Sequence, residues 1–491
     1  MAVIHRTSIV WLRRDLRLDD NVALARAARE SARVVCAFVL DPTLLRGEDI
    51  GAPIVAFFFD ALAELRVRLR GLASDLALLE GDVATELCAL ARCVDADAVY
   101  YNADYAPRAI DRDERVARVL RERGTAVEAC LDHVYYGAGE TLKADATPYT
   151  VFTPYKRRWL ARHDEDPRQP VDSLAALEGK LIARETLGAT RDVPAPEAFG
   201  HARSERYARG GETIARDLLA AFLDTRVAAY ADARNLPAID GTSSLSPHLR
   251  AGTIGIRRCV DEALRARQRE PGDRRTGYDT WLGELIWRDF YQQILANFPH
   301  VATEPFLADA RKLRFRHAPR EFAAWSRGET GFPIVDAAMV QLNTTGWMHN
   351  RLRMIVASFF TKDLLLDYRL GERYFERRLV DSELAANNGG WQWSASTGTD
   401  AAPYFRVFNP ILQSKKFDPD GTFIKKMLPA LERLDGDALH APWTLAPLQA
   451  ATLGFRLGRD YPEPMVDHAA ARERALAAYA PVMGKAARVK S

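Results

Sequence analysis

The chain has 491 residues, 48% of them hydrophobic and 27% charged, with a formal net charge of +2. Such a length and apolar content suffice for roughly two or three domains, and a near-neutral total excludes a protein that coats nucleic acid nonspecifically, though not one with a local basic patch. The five cysteines (Cys36, Cys88, Cys93, Cys130, Cys259) form no CxxC or His/Cys cluster, which excludes a disulfide frame or zinc site and predicts reduced thiols. The N-terminal MAVIHRTSIVWLRRDLRLDD reaches charges too early for a signal peptide, and no apolar run is long enough to span a bilayer. The expectation is a soluble, cytoplasmic protein.

In chain order, SIVWL, VVCAFVL, LALLEG, AVYYNAD and VEACLDHVYY read as buried strands. Between them NVALARAARE, FFFDALAELRVRLRGL, TELCALARCV and RDERVARVLRERG carry helical periodicity. The alternation predicts an α/β doubly wound parallel sheet over residues 1–138. No GxGxxG or Walker A pattern follows the first strand; it runs into RRDLRLDD. Those charges belong at the sheet's carboxyl edge, either as a ligand site or as a solvated, charge-paired turn. From 139 to 205 the periodicity degrades among Pro148, Pro154, Pro167, Pro170, Pro194 and Pro196, predicting an interdomain connector with short helical pieces. Residues 206–491 carry only helical stretches, GETIARDLLAAFLDTRVAAYADAR, YDTWLGELIWRDFYQQILANF and PIVDAAMVQLNTTGWMHNRLRMIVASFFTKDLLL among them, and predict an all-α domain.

Several constellations lie in that helical part. GTSSLSPHLRAG reads as a helix start, with Ser246 as N-cap, Pro247 at the first helical position and Gly252 closing it. Thr242, Ser243 and Ser244 add hydroxyls beside the terminus; the arrangement suits a phosphate, and equally serves plain capping. In WLGELIWRDFY, Trp281, Glu284, Trp287, Arg288 and Tyr291 share a helix stripe. A carboxylate buried between two indoles would be driven toward its neutral form; the alternative is an aromatic core face with a surface Glu284–Arg288 pair. WMHNRLRM sets Asn350 and Met354 on one face and Arg351 and Arg353 elsewhere, and Asp381 and Glu383 in VDSELAANN are candidate partners for Arg353. Arg234, Arg250, Lys415, Lys416, Lys425 and Lys426 permit a cationic rim around an aromatic pocket, suited to single-stranded or flipped-out nucleic acid. ANNGGWQWSASTGTDA is too glycine-rich and polar for a helix interior and too aromatic for a solvent loop.

GTSSLSPHL, ELIWRDFY, TGFPIVDAAMVQLNTTGWMHNRLRMIVASFFTKDLL and GERYFERRLVDSELAANNGGWQWSASTGTDAAPYFRVFNP together closely resemble the photolyase/cryptochrome family, and VWLRRDLRLDDN extends the likeness to nearly the whole chain. Within the family the chain is most similar to microbial class I cyclobutane pyrimidine dimer photolyases. The resemblance implies an antenna domain at 1–138, a connector at 139–205 and a helical FAD- and DNA-binding domain at 206–491. It implies light-driven repair by electron transfer from photoexcited reduced FAD to a flipped-out dimer, a carbon–carbon lyase activity that needs no metal. The implied FAD contacts are Tyr230, Thr242, Ser243, Ser244, Leu245, Ser246, Arg353, Asp381, Ser382, Glu383 and Asn387, with Asn387 facing flavin N5. The implied catalytic residues are Glu284, Asn387 and Trp391. The dimer and its DNA would be met by Arg234, Glu284, Trp287, Arg288, Tyr291, Asn350, Arg351, Met354, Trp393 and Gln413.

The chain departs from the family pattern in two places. Of the three tryptophans that relay electrons to the flavin, Trp391 is retained, but the middle position is Tyr368 and the outermost Phe315. The expectation is slow photoreduction or an exit through Trp325 or Trp347, with repair unaffected. Ala109 stands where folate-binding members carry glutamate, which disfavours folate as a second, antenna chromophore and leaves a deazaflavin or none. The expected partner is UV-damaged DNA, with a monomeric protein and no obligate protein partner. The competing functions are a cryptochrome-type blue-light receptor without repair, a (6-4) photolyase, and an electron-transfer flavoprotein with no DNA role.

Overall fold

The computed structural model describes residues 3–187 and 190–487, so the outermost residues of the two expected terminal domains lie outside it. The chain divides into two compact units. The first draws on residues 1–228, 243–299 and 380–385; the second on 229–242, 300–379 and the chain from 386 onward.

The first unit is built on five parallel strands: β1 (His5–Trp11), β2 (Ser31–Leu40), β3 (Ala77–Glu80), β4 (Ala98–Asn102) and β5 (Ala126–Cys130). Their order is β3-β2-β1-β4-β5, so the winding direction reverses between β1 and β4. Side chains alternate between the faces. Ile9, Trp11, Val35, Ala37 and Val99 pack on one side with Leu87 and Leu90 of helix Val83–Cys93 and Val116 and Leu120 of helix Pro107–Arg121. Val10, Leu12, Val34, Cys36 and Tyr100 pack on the other with Leu24 of helix Val22–Glu30 and Val55, Phe59 and Leu62 of helix Ala52–Gly71. Both faces are covered, which is why the strands read as continuous apolar runs. The doubly wound α/β expectation is met.

Two local readings change. The fifth strand ends at Cys130, not at Tyr136, because Asp132 leaves the sheet to accept from Arg17 (2.6 Å), from the Val22 amide (3.2 Å) and from Arg257. Tyr135 and Tyr136 are buried as an anchor: their amides and the Trp159 indole N–H (3.1 Å) all donate to Asp289, whose carboxyl burial pushes up to about 6. The segment after Gly139 holds more than short pieces. Helix Phe152–Glu165 runs 14 residues, and its Tyr155 packs on Phe290 of the long helix Arg275–Asn297 (ring centroids 5.3 Å apart).

The second unit is helical. Its core gathers Trp325, Phe332, Met339, Leu352, Phe360, Tyr368 and Trp391. The stretch 333–366 breaks into helices Pro333–Thr345 and Asn350–Ser358 and a π turn Phe359–Asp363; Gly346, with φ of 69°, ends the first. The polar, glycine-rich ANNGGWQW proves helical, within Leu384–Ser394. Tertiary hydrogen bonds override its poor propensity: Asn388 donates to the Val301 carbonyl (2.8 Å) and Glu372 (2.9 Å), and Gln392 to the Val301 and Glu304 carbonyls. Cys36, Cys88, Cys130 and Cys259 are buried and Cys93 is exposed; burial pushes the Cys36 thiol up to about 12. Among the described residues no helix is long and apolar enough to cross a membrane.

Candidate functional site

At the carboxyl ends of β1 and β4, where parallel sheets open a crevice, the RRDLRLDD charges are neither solvated nor free for a ligand. Arg13 is paired with Asp113, Arg17 with Asp132 (2.6 Å), and Asp15 accepts from Asn102 (2.7 Å) and from the Arg13 amide (2.6 Å). Asp15 is pushed up by burial, and Asp132, which burial would also raise, is held down chiefly by Arg17 and Arg257. The cavity among Arg13, Arg14, Asn102, Asp104 and His133 is about 50 Å³, room for a water or two and not for a ring system.

Still in the first unit, the loop 243–245 leads into helix Ser246–Ala251. The cap is Leu245, one residue earlier than expected, because the Ser246 hydroxyl is turned to donate to Asp381 (2.5 Å). Ser243 accepts from the Leu245 amide (3.4 Å), and Ser244 adopts the left-handed region at φ of 56°. Gly252 ends the helix at φ of 68°, and a Cβ there would lie 2.0 Å from the Arg14 carbonyl oxygen, so only glycine fits. Arg250 donates to the Ser382 carbonyl (3.0 Å), so this short helix holds two consecutive residues of segment 380–385.

The third residue, Glu383, is held by ions. Arg14, His133 (2.6 Å) and Arg288 (3.3 Å) converge on its Oε1. Burial alone would raise the Glu383 carboxyl, but Arg288, His133 and Arg14 outweigh it and hold it well below the usual carboxylate range. His133 is kept below its ordinary value by burial, reinforced by Arg288 and Arg14. Arg288 also donates to the His133 carbonyl, so its guanidinium is committed inside the unit. His133 and Arg14 carried no sequence signal, since they lie 250 and 369 residues from Glu383.

On helix Arg275–Asn297, Glu284, Trp287 and Tyr291 are half-buried along one stripe. Trp287 stacks on Phe152 with ring centroids 3.6 Å apart and planes 8° from parallel, and Tyr291 lies 5.4 Å beyond. Phe152, in the region read as connector, escaped the sequence reading. It holds the indole plane by one face.

In the second unit, Arg351 donates to Asn235 (2.5 Å), lies near the Met354 sulfur (3.4 Å) and stacks over Phe417 (4.5 Å). Neighbouring Asn350 is exposed, and Arg353 is half-buried, donating to the Met348 carbonyl (2.8 Å). Arg234 lies over the ring of buried Tyr230 (5.6 Å). Trp393 is half-buried near Phe408 (6.5 Å), and Gln413 is half-buried on helix Pro410–Phe417. Thr242 is half-buried at the unit's first segment boundary. Asn387 donates its Nδ2 to the Glu372 carbonyl (3.0 Å). That bond fixes the amide so that Oδ1 is the edge left to accept, which fits the N–H edge of a reduced flavin. Trp391 is buried with its edge closed by Gly371, where a Cβ would lie 2.1 Å from the indole.

The family model for the FAD binding domain of DNA photolyase matches residues 281–481, and that for DNA photolyase matches residues 8–174. The chain belongs to the DNA photolyase family. It is 41% identical over 481 residues to a deoxyribodipyrimidine photo-lyase of Salmonella typhimurium, covering 96% of this chain and 98% of that protein. It is similar in structure to a bacterial class III photolyase from Agrobacterium tumefaciens (TM-score 0.89, 33% identity, 99% of both chains). It is also similar to a cryptochrome of Synechocystis sp. PCC6803 (TM-score 0.86, 26% identity, 97% of this chain and 100% of that one). The family's FAD-binding model thus covers Glu284, Arg353, Asp381, Asn387 and Trp391, while Tyr230 and Thr242–Ser246 precede it.

Proposed function

We propose that the protein repairs cyclobutane pyrimidine dimers in DNA under light, with FAD as cofactor. The observation that carries this is the 41% identity over nearly the full length to the Salmonella deoxyribodipyrimidine photo-lyase. FAD, when bound in its reduced form and excited by light, supplies the electron that opens the cyclobutane ring and takes it back afterwards.

The chain's own residues bind, orient and exclude water. Tyr230 and Thr242, Ser243, Ser244, Leu245 and Ser246 would hold the cofactor's pyrophosphate side, and Arg353, Asp381, Ser382, Glu383 and Asn387 its flavin side. The grip of Ser246 on Asp381 and of Arg250 on the Ser382 carbonyl supports such a role, because it fixes that segment in advance. Photolyases as a class are known to flip their target out of the duplex. Trp287, backed by Phe152, and Trp393 would stack on the extruded dimer, and the Glu284 carboxyl would hydrogen-bond a pyrimidine carbonyl as negative charge gathers there. Asn350, Arg351 and Met354 would also meet the dimer, and Arg234, Tyr291 and Gln413 the DNA strand. As functional regions we assign 1–138 to the antenna, 139–205 to the connector and 206–491 to catalysis. A monomer acting in the cytoplasm, and a deazaflavin or no second chromophore, complete the reading.

The test is repair of UV-irradiated oligothymidine by chemically reduced protein, following the return of thymine absorbance under blue light and in the dark. Recovery in light alone is expected. Bound, reduced flavin with no recovery in light would overturn the proposal in favour of a receptor, a function compatible with the fold shared with the Synechocystis cryptochrome.

A further inference from the structure

The relay positions inherited from the family pattern are poorly suited to carry charge here. Tyr368 is 1% exposed and its hydroxyl has no hydrogen-bond partner. Its ring is met by the Arg369 guanidinium (5.9 Å), and among the described residues no aromatic ring packs face or edge against it. A tyrosine that gives up an electron must shed its phenolic proton, and among the described residues no acceptor lies within hydrogen-bond reach of the Tyr368 hydroxyl. Burial pushes that phenol well above its ordinary value, which opposes proton loss further. Phe315, the outer position, is too hard to oxidise.

Trp391 touches a different set of rings. Trp325 meets it edge-on with centroids 6.1 Å apart, and Trp325 in turn lies 5.6 Å from Tyr374. Phe360 (4.6 Å from Trp325) and Phe375 (5.0 Å from Trp391) pack the flanks and keep water out. Both indole nitrogens, of Trp391 and Trp325, are buried without an acceptor. An indole oxidised there keeps its proton, so the positive charge stays free to move on. Tyr374 is where the row reaches a half-buried position. Its hydroxyl donates to Asn343 (2.6 Å) and the Ser326 carbonyl (2.9 Å). Burial pushes this phenol above its ordinary value too, and the Arg378 guanidinium over its ring (5.5 Å) works against that rise; what sets Tyr374 apart from Tyr368 is its place in the row of rings and its half-buried position.

We propose that electrons reach the flavin along Tyr374, Trp325 and Trp391, bypassing Tyr368 and Phe315. The route rests on the repair reading, in which Trp391 borders the cofactor. One electron leaves Trp391 for photoexcited, oxidised FAD; Trp325 refills Trp391, and Tyr374 refills Trp325. Tyr374 releases its phenolic proton to water, and an added thiol returns one electron and one proton to it.

Transient absorption and spin resonance on the FAD-loaded, unreduced protein with dithiothreitol would test this. The native protein should give a tyrosyl radical. Trp325→Phe should slow photoreduction by about tenfold or more. Tyr374→Phe should replace the tyrosyl signal with a short-lived tryptophan one. Trp347→Phe, at an indole outside the row, serves as the control expected to match the native protein. Native photoreduction in Trp325→Phe, or loss of the tyrosyl signal in Tyr368→Phe but not in Tyr374→Phe, would overturn the route. FAD content and circular dichroism check folding, and the half-buried Tyr374→Phe site keeps the test decisive where Trp325→Phe loses cofactor. Repair by chemically reduced native protein is scored separately, so failure of the route and failure of the repair reading give different results.

Discussion

At the scale of single residues, the buried carboxyls differ by their partners. Glu383 is held by two arginines and stays ionised, whereas Glu372 accepts from Asn388 and feels Arg373 only as a weaker influence than its burial. Burial therefore pushes Glu372 up to about 7 from its ordinary 4.5. The folded state holds this proton more tightly than the unfolded chain does, so the stabilisation is complete below about pH 4.5 and is lost as pH rises through about 7. Glu372→Gln keeps an acceptor for Asn388 and removes the ionisation. We expect the variant to melt above the native protein at pH 8, by up to about 3 kcal/mol, and to match it near pH 5. Parallel melting curves at the two pH values check this; equal curves at pH 8 would refute it. The Glu383 cluster also marks a limit of sequence reading. A glutamate in VDSELAANN, an arginine in VWLRRDL and a histidine in CLDHVYY carry no local sign that they meet.

At the scale of elements, helix Tyr368–Arg378 lies close enough to Trp391 that only glycine serves at position 371. Gly371→Ala should shift the indole or the helix, costing about 2 kcal/mol of stability and much of the bound flavin. Thermal melting and the flavin-to-protein absorbance ratio measure both, and a native ratio would show that the contact relaxes freely. The strands were legible because each is buried on both faces and so reads as an unbroken apolar run. The overrun of β5 has a local reason: apolar Val134, Tyr135 and Tyr136 are buried by leaving the sheet rather than by extending it. The ANNGGWQW helix was illegible, since the carbonyls that satisfy Asn387, Asn388 and Gln392 come from residues 15 to 91 positions away. Among site residues, the motif-bearing ones were readable as chemistry, while Phe152 and Asn343 acquire meaning only from the rings and hydroxyls placed beside them.

At the scale of the whole molecule, each compact unit is assembled from three separate stretches of chain. A fragment ending at 228 would lack Asp289, the acceptor for Trp159 and the Tyr135 and Tyr136 amides, and Glu383, the counter-ion of Arg14. Buried donors left without their acceptor, and a part-buried Arg14 left with Asp104 alone, should prevent cooperative folding. We expect such a fragment to show no sharp thermal transition and no near-ultraviolet dichroism, and a sharp transition would refute the dependence. The thiols have a practical consequence of another kind. Four are shut inside the packing and Cys93 alone faces outward at the end of its helix. A maleimide dye should therefore attach at one defined point of the native sequence, giving single-molecule experiments an anchor without cysteine engineering.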